Sequence, residues 1–209
     1  MAYDFEEQEK IDALKDWWKR NGNRVTWAVT GVLLVIAAFQ GWRWWQNKEA
    51  MEAAALFAGL DQAVRAQDAR QIREISGRIM ENHPRTAYAP GAAFLAAQAN
   101  FRAGDPKSAG AQLQWVLDHA GDEAIRQLAR LRLAQVFLDE KRYDAALKLL
   151  AEEAPPGFES LTASTRGDVL GAQGKNKEAR DAYKMALEKA EPDSPLRRVV
   201  ELKLNALGG

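Results

Sequence analysis

The sequence contains no cysteine and only two histidines among its 209 residues. Without cysteine the chain has no disulfide, no thiolate metal ligand and no cysteine nucleophile. His83 precedes a proline and His119 stands at the apparent end of a helix, and neither has a histidine or carboxylate partner at metal-ligand spacing. We therefore predict solvent-exposed loop positions for both histidines, and no metal site or other cofactor.

The sequence also lacks the short motifs of nucleotide-binding and hydrolytic enzymes. Neither GxxxxGKS/T nor GxGxxG nor GxSxG occurs in it. Lys+Arg and Asp+Glu number 29 each, so the chain has no net charge that would attract nucleic acid. The carboxylates are scattered among bases, as is typical of solvated helix faces. These absences predict a protein that is not an enzyme and does not bind nucleic acid.

Runs of β-branched residues are scarce outside one apolar segment and the short stretch "RRVVE" near the end. Helix-forming residues, namely Ala, Leu, Glu, Lys, Gln and Arg, recur throughout the rest of the chain. The composition therefore predicts an all-α fold.

The apolar segment reads "VTWAVTGVLLVIAAFQGW", which is 18 residues without a formal charge. As a helix it would be about 27 Å long, close to the ~30 Å hydrocarbon thickness of a bilayer. Six of the seven tryptophans lie in or beside it, as expected for indole rings at the level of the lipid headgroups. We predict a transmembrane anchor over residues 25–45, in contact with the bilayer through Val25, Trp27, Leu33, Leu34, Ile36, Phe39, Trp42, Trp44 and Trp45.

Two other interpretations of this segment remain at the level of sequence. A helix in a soluble core would show a polar stripe of period 3.6, and Thr26, Thr30 and Gln40 form none. A cleaved signal peptide is the second alternative, because residues 35–37 loosely resemble a cleavage site. Cleavage there would divide the apolar run in its middle, which favours the uncleaved anchor.

Basic residues around the span predict its orientation. Five bases lie within about 15 residues before the span, and only Arg43 and Lys48 follow it at similar range. The N-terminus is therefore expected in the cytoplasm and the large C-terminal part outside it. Residues 1–24 form the predicted cytoplasmic tail, an amphipathic helix that binds the inner leaflet or a partner protein and ends at the Asn-Gly-Asn segment of residues 21–23.

Residues 46–209 show a repeat of helical hairpins. Ala179 is preceded by Ala146 at 33 residues, by Ala109 a further 37 back and by Ile72 another 37 back, and these periods bracket the ~34 of tetratricopeptide repeats. The pattern predicts a tetratricopeptide-like solenoid closed by a capping helix in "SPLRRVVELKLNALGG". Its predicted packing positions are Ala97, Ala109, Ala134, Phe137, Ala146, Gly167, Gly174, Ala179, Tyr183 and Ala186.

Stacked hairpins generate a concave surface on which such arrays bind partners. The first helices of the predicted hairpins would present Phe94, Gln98, Phe101, Leu131, Gln135, Leu138, Ser164 and Asp168 toward it. The apolar members of this set are also compatible with a place in the core. The tripeptide Arg-Gly-Asp at residues 166–168 falls inside a predicted helix, which favours a packing role for Gly167 over an adhesion site.

The sequence resembles the YfgM family, the ancillary subunits of the bacterial SecYEG translocon. The resemblance rests on "LKDWWKRNGN" before the span, "GWRWW" after it and "RGDVLGAQGKNKEARDAYKMAL" near the end. It implies a bacterial inner-membrane protein with a periplasmic repeat domain, which associates with SecYEG and with a PpiD-like periplasmic chaperone and helps to transfer emerging secretory proteins. It implies no catalytic residues.

Two functions are favoured by these features, ahead of an enzyme of unrecognised type as the third alternative. The first is a non-enzymatic, membrane-anchored adaptor that links SecYEG to periplasmic chaperones during export, with secretory clients as further partners. The alternative is a regulator that senses envelope stress and whose cytoplasmic tail binds or restrains a signalling protein.

Overall fold

The computed structural model describes residues 2–208, with side chains from Lys10 onward. These residues form helices joined by short connections, and no strand occurs among them, so the prediction of an all-α fold is confirmed. The helices of the described residues are α1 (Ala2–Arg65), α2 (Ala69–Asn82), α3 (Tyr88–Arg102), α4 (Pro106–His119), α5 (Glu123–Asp139), α6 (Tyr143–Leu149), α7 (Glu159–Ala172), α8 (Asn176–Lys189) and α9 (Pro195–Ala206).

The predicted end of the first helix at residues 21–23 is wrong, because α1 continues through this segment without a break. The Asn21 side chain donates to the carbonyl of Trp17 at 3.3 Å, and the Thr26 hydroxyl donates to the carbonyl of Gly22 at 2.8 Å. Polar side chains that would favour a turn are thus hydrogen-bonded back onto their own helix. The local stop signal is overridden by helix-forming residues on both sides.

The chain divides into two compact units, Met1–Glu49 and Ala50–Gly209. The first unit is formed by the N-terminal part of α1. In the second unit the remainder of α1 packs on α2, where Leu60 and Ala63 meet Ile72 and Ile79 in a buried cluster. Three further hairpins follow, α3 with α4, α5 with α6 and α7 with α8, and α9 packs on the last of them through Val200.

The four hairpin turns of the second unit share one backbone conformation. In each turn one residue has a positive φ. The amide of the residue after it donates to the carbonyl of the residue four positions before the positive-φ residue, at 2.8–3.0 Å. This hydrogen bond caps the preceding helix. The four residues follow the 37-, 37- and 33-residue spacing of the repeat and are Gln67 (φ 55°), Gly104 (φ 79°), Lys141 (φ 59°) and Gly174 (φ 82°).

Side-chain caps begin α2, α4, α5 and α9, at residues that favour this role. Asp68 accepts hydrogen bonds from two amides at the start of α2, and Asp105 accepts one from Ser108 at the start of α4. Proline occupies the first turn of α4 and of α9, where its missing amide hydrogen costs no helical bond. The starts of these helices are thus encoded locally.

A buried polar connection links the third hairpin to the fourth. The Gln127 side chain is fully buried on α5 and donates to the Thr162 hydroxyl on α7 at 2.8 Å. The Arg130 guanidinium donates to Gln127 and forms an ion pair with Glu152 at 2.6 Å, in the segment between α6 and α7. Because a buried amide is costly without partners, this network favours one register between the two hairpins.

Candidate functional site

An open cavity of about 590 Å³ lies in the second unit, along the first helices of successive hairpins. Helices α3 and α5 contribute most of its wall, and α4, α7 and α9 contribute one residue each. It is the concave surface expected of stacked hairpins. The lining residues are Phe94, Ala97, Gln98, Phe101, Leu113, Arg132, Gln135, Val136, Leu138, Asp139, Asp168 and Lys203.

Six of the eight residues assigned to the groove from sequence line this cavity: Phe94, Gln98, Phe101, Gln135, Leu138 and Asp168. The other two do not, because Leu131 and Ser164 are buried, with 3% and 2% of their surface exposed. Leu131 packs against Ala146 and Val169 in the core between the third and fourth hairpins. Leu131 and Ser164 lie one helical turn before the cavity-lining residues Gln135 and Asp168. Helical periodicity therefore assigns them to the same face, but this earlier turn of each helix is covered by the core.

The wall of the cavity repeats with the period of the array. Gln98 on α3 and Gln135 on α5 are 37 residues apart, and both side chains are exposed. Phe101 and Leu138, three residues further along the same helices, hold the equivalent apolar position. In the next hairpin the position equivalent to Gln98 and Gln135 is Asp168, 33 residues beyond Gln135. A regular line of polar side chains therefore follows the groove beside a line of apolar ones.

Asp168 forms the polar end of the cavity. Its carboxylate accepts a hydrogen bond from the Tyr183 hydroxyl at 2.8 Å and pairs with the Lys203 ammonium at 2.7 Å. Burial raises the pKa of Tyr183 well above its ordinary value, and the neighbouring Asp168 carboxylate raises this pKa further. The Tyr183 hydroxyl is therefore a permanent donor, and the Asp168 charge is neutralised by a residue of α9.

Arg132 and Asp139 are groove residues that the sequence did not single out. The Arg132 guanidinium lies over the ring of Phe94, 4.7 Å from the centroid, as in a cation–π contact. Both residues share the face of α5 on which Gln135 lies, at three residues before it and four after it, so helical periodicity would have found them. No local signal identifies Lys203, because its place in the cavity depends on the docking of α9.

Nine of the ten residues assigned to packing fall into three groups by their position in the structure, and the tenth, Gly167, is described below. The alanines at 97, 109, 134, 146, 179 and 186 and the side chain of Tyr183 are buried. Phe137 is half-buried between two core clusters. Gly174 does not pack between helices but occupies the turn between α7 and α8, as described above.

Gly167 lies at a close approach of α7 and α8. A Cβ at this position would come within 3.0 Å of three atoms of the Tyr183 ring, so no larger residue fits there without movement. Gly167 is the middle residue of the Arg-Gly-Asp tripeptide, and its neighbour Asp168 is already paired with Lys203. The tripeptide is thus part of a packed helix, which favours its structural interpretation.

The two histidines lie in different surroundings. His83 is buried, with 8% of its surface exposed, so its predicted solvent-exposed position is wrong. It is the residue that follows α2, and its backbone amide donates to the carbonyl of Ile79. His119 is exposed and stacks on Trp115 with 4.4 Å between ring centroids. Within the described part of the chain, no cluster of three or more His, Cys, Asp or Glu side chains has the geometry of a metal site.

The apolar run of α1 carries the features of a membrane span. Its 18-residue window has a mean hydropathy of 1.6 and is 0% buried within the protein. Among the residues assigned to the anchor, Trp27, Leu34 and Trp44 are 72%, 66% and 68% exposed. A helix of a soluble core would bury this surface, so that interpretation is wrong. Among the described residues, this is the only helix long and apolar enough to cross a bilayer.

The hairpin array and its concave groove define a tetratricopeptide-like protein, and comparison with known proteins agrees. A family model described as a tetratricopeptide repeat-like domain matches residues 15–209.

Relatives align with the chain from end to end. A protein of Neisseria gonorrhoeae is 34% identical over 99% of this chain and 100% of its own length. A protein of Haemophilus influenzae is 28% identical over 99% of this chain and 100% of its own length, and one of Escherichia coli K12 is 28% identical over 96% of both chains. All three are named ancillary SecYEG translocon subunit. The chain belongs to this family, the YfgM family.

Proposed function

We propose that the protein is a non-enzymatic, membrane-anchored adaptor of the bacterial Sec translocon, which links SecYEG to a PpiD-like periplasmic chaperone during the export of secretory and envelope proteins. The observation that carries the proposal is the end-to-end similarity to proteins named ancillary SecYEG translocon subunit. An apolar helix with its surface exposed, joined in one chain to a hairpin array with an open groove, supports it.

The proposed topology has residues 1–24 in the cytoplasm, residues 25–45 across the inner membrane and residues 46–209 in the periplasm. The excess of bases before the span supports this orientation. An enzymatic reporter that is active only outside the cytoplasm, fused after Gly209, should be active. An inactive fusion at normal expression would overturn the orientation.

The proposed partner surface is the groove, defined by the six predicted residues that line it together with Arg132, Asp139 and Lys203. Anchoring the groove at the membrane raises its effective concentration near a membrane complex, so contacts of modest affinity suffice there.

Purification of the full chain from mild detergent tests the proposal. SecYEG subunits and a membrane-anchored periplasmic chaperone should co-purify with it. Photocrosslinkers at Gln98 and Gln135 should label one of these partners, and a crosslinker at Gln114, which is exposed on the outer helix α4, serves as the control. Recovery of the chain without any translocon subunit would contradict the adaptor function, and labelling from Gln114 alone would contradict the groove.

A further inference from the structure

The occupant of the groove can be inferred from the chemistry of its wall. Gln98 and Gln135 hold the same position in successive repeats, are exposed, and both line the cavity. A primary amide offers donors and an acceptor at once, which match the carbonyl and the amide of a peptide group. A repeated line of such amides suits the backbone of an extended polypeptide, whatever its side chains.

The apolar line beside these amides suits the side chains of the same polypeptide. Phe101 is 40% exposed in the groove, Leu138 is half-buried in it, and the ring of Phe94 is covered on one face by Arg132. Because successive side chains of an extended chain point to opposite sides, alternate residues would contact this line. Aromatic and aliphatic side chains would lose the most water-exposed surface there.

The charges of the groove balance one another and offer no net attraction to a strongly charged occupant. Asp168 and Lys203 neutralise each other at one end. Arg132 and Asp139 are seven residues apart on α5 and therefore about 10 Å apart along the axis of that helix, with opposite signs. A run of acidic residues would meet Asp139, and a run of basic residues would meet Arg132. An uncharged segment meets neither repulsion, so charge complementarity selects a neutral one.

We propose that the groove binds an extended, uncharged and apolar segment of an unfolded polypeptide, which in the context of the proposed function is the exported client itself. Two amides hold the backbone in a sequence-tolerant way, and the apolar line holds alternate side chains. This inference rests on the proposed function for the identity of the client and on the groove alone for the chemistry of binding.

Fluorescence anisotropy with the full chain in detergent micelles or nanodiscs tests the inference. The probe is a labelled short peptide of alternating serine and leucine or phenylalanine, compared with two versions in which the serines are replaced by glutamate or by lysine. The neutral peptide should bind the unmodified chain, and both charged versions should bind at least about tenfold more weakly.

The double variant Gln98→Ala and Gln135→Ala should weaken binding of the neutral peptide by about tenfold, because two hydrogen bonds are lost from exposed positions. The matched control is the double variant Gln71→Ala and Gln114→Ala, which removes exposed amides from α2 and α4, the second helices of their hairpins, and should leave binding unchanged. Equal binding of neutral and charged peptides, or equal effects of the two double variants, would overturn the inference.

The two proposals fail in different ways. If the peptide does not bind, yet SecYEG co-purifies and is lost from the Gln98 and Gln135 double variant, the groove holds a folded partner. The present inference is then wrong and the adaptor function stands. If the peptide binds as expected but no translocon subunit co-purifies, the adaptor function is wrong and the chemistry of the groove stands.

Discussion

Close approach of two helices at Gly167 makes this residue a sensitive point of the last hairpin. The ring of Tyr183 occupies the space that a Cβ would need, and the same tyrosine donates to Asp168 at the end of the groove. Packing of the hairpin and the polar end of the groove thus share one side chain. Substitutions here are expected to act on stability and on the groove together.

Gly167→Ala should lower the free energy of unfolding by about 1–3 kcal/mol, because the added methyl group overpacks the contact with Tyr183. Gly171→Ala, on the same helix, is the matched control. A Cβ at Gly171 would meet its nearest neighbour, the Ala179 Cβ, at 3.9 Å, an ordinary contact distance. This control should be neutral or stabilising, since alanine is the better helix former. Thermal unfolding followed by circular dichroism measures both, and equal midpoints would contradict the packing argument.

The raised pKa of Tyr183 predicts a loss of stability in alkali. The ordinary tyrosine pKa is near 10, and burial followed by the Asp168 carboxylate raises it in the folded protein. The folded state therefore keeps a proton that the unfolded state loses above about pH 10, so stability falls as the pH rises beyond that value. Below about pH 10 the contribution of the Tyr183 proton to stability is fully present.

Tyr183→Phe should remove the pH-dependent part of the stability that comes from the raised pKa of this tyrosine. Its unfolding midpoint should decrease less than that of the unmodified chain when the pH is raised from about 9 to about 11. Tyr143→Phe is a control for the general effect of removing a tyrosine hydroxyl. Parallel decreases in all three proteins would show that Tyr183 does not titrate differently between the folded and unfolded states.

At the scale of elements, the hairpin turns explain why the repeat is visible in sequence only in part. All four turns require a positive φ, which glycine adopts freely and other residues adopt at a cost. Glycine is present at Gly104 and Gly174, but Gln67 and Lys141 fill the same position in the other two turns. A search for glycine alone therefore misses half of the turns, although the spacing is regular.

Exchange of residues between these turns should change stability in opposite directions. Gly174→Lys should cost about 1–2 kcal/mol, since lysine must adopt the left-handed conformation, and Lys141→Gly should be neutral or stabilising by up to about 1 kcal/mol. The control is Gly121→Lys, because Gly121 lies in a connection, has no positive φ and has open space around its Cα. It should stay within about 0.5 kcal/mol of the unmodified chain. A Gly174→Lys variant with unchanged stability in chemical denaturation would argue against a strained turn.

For the whole molecule, the two functional alternatives make different demands on the N-terminal segment, residues 2–20. An adaptor that acts through its anchor and groove does not need residues 2–20 to reach the translocon. A regulator of envelope stress needs them to bind or restrain a signalling protein.

Deletion of residues 2–20, with the four bases of this segment retained next to Asn21 so that the orientation of the span is kept, should leave co-purification with SecYEG and the envelope-stress response unchanged. A matched variant that keeps the length of this segment but replaces Ile11, Leu14 and Trp18 with serine removes only the apolar face that these three residues form, and it controls for lost length. An altered stress response together with intact translocon association in both variants would favour the regulatory function instead.

Patterns among residues close in sequence were sufficient to predict much of the molecule. The length and composition of the apolar run predict a membrane span, and the helix formers and the periods of 33 and 37 predict a hairpin array. Six of the eight residues that helical periodicity assigned to a groove line the cavity. These features depend on neighbours along the chain, which the sequence displays directly.

Only the tertiary structure decided how one end of the groove is closed and which of the predicted groove residues are buried instead. Lys203 reaches Asp168 because α9 docks on the last hairpin, a contact across 35 residues of sequence. Leu131, Ser164 and His83 are buried, although the sequence predicts groove positions for the first two and an exposed loop position for the third. Local periodicity cannot settle these points, because the rotation of each helix is set by packing against elements distant in sequence. The sequence by itself determined the apolar run that is long enough to cross a membrane, the all-α class and the repeat, because these depend on neighbours along the chain; packing between hairpins determined which surface is left open.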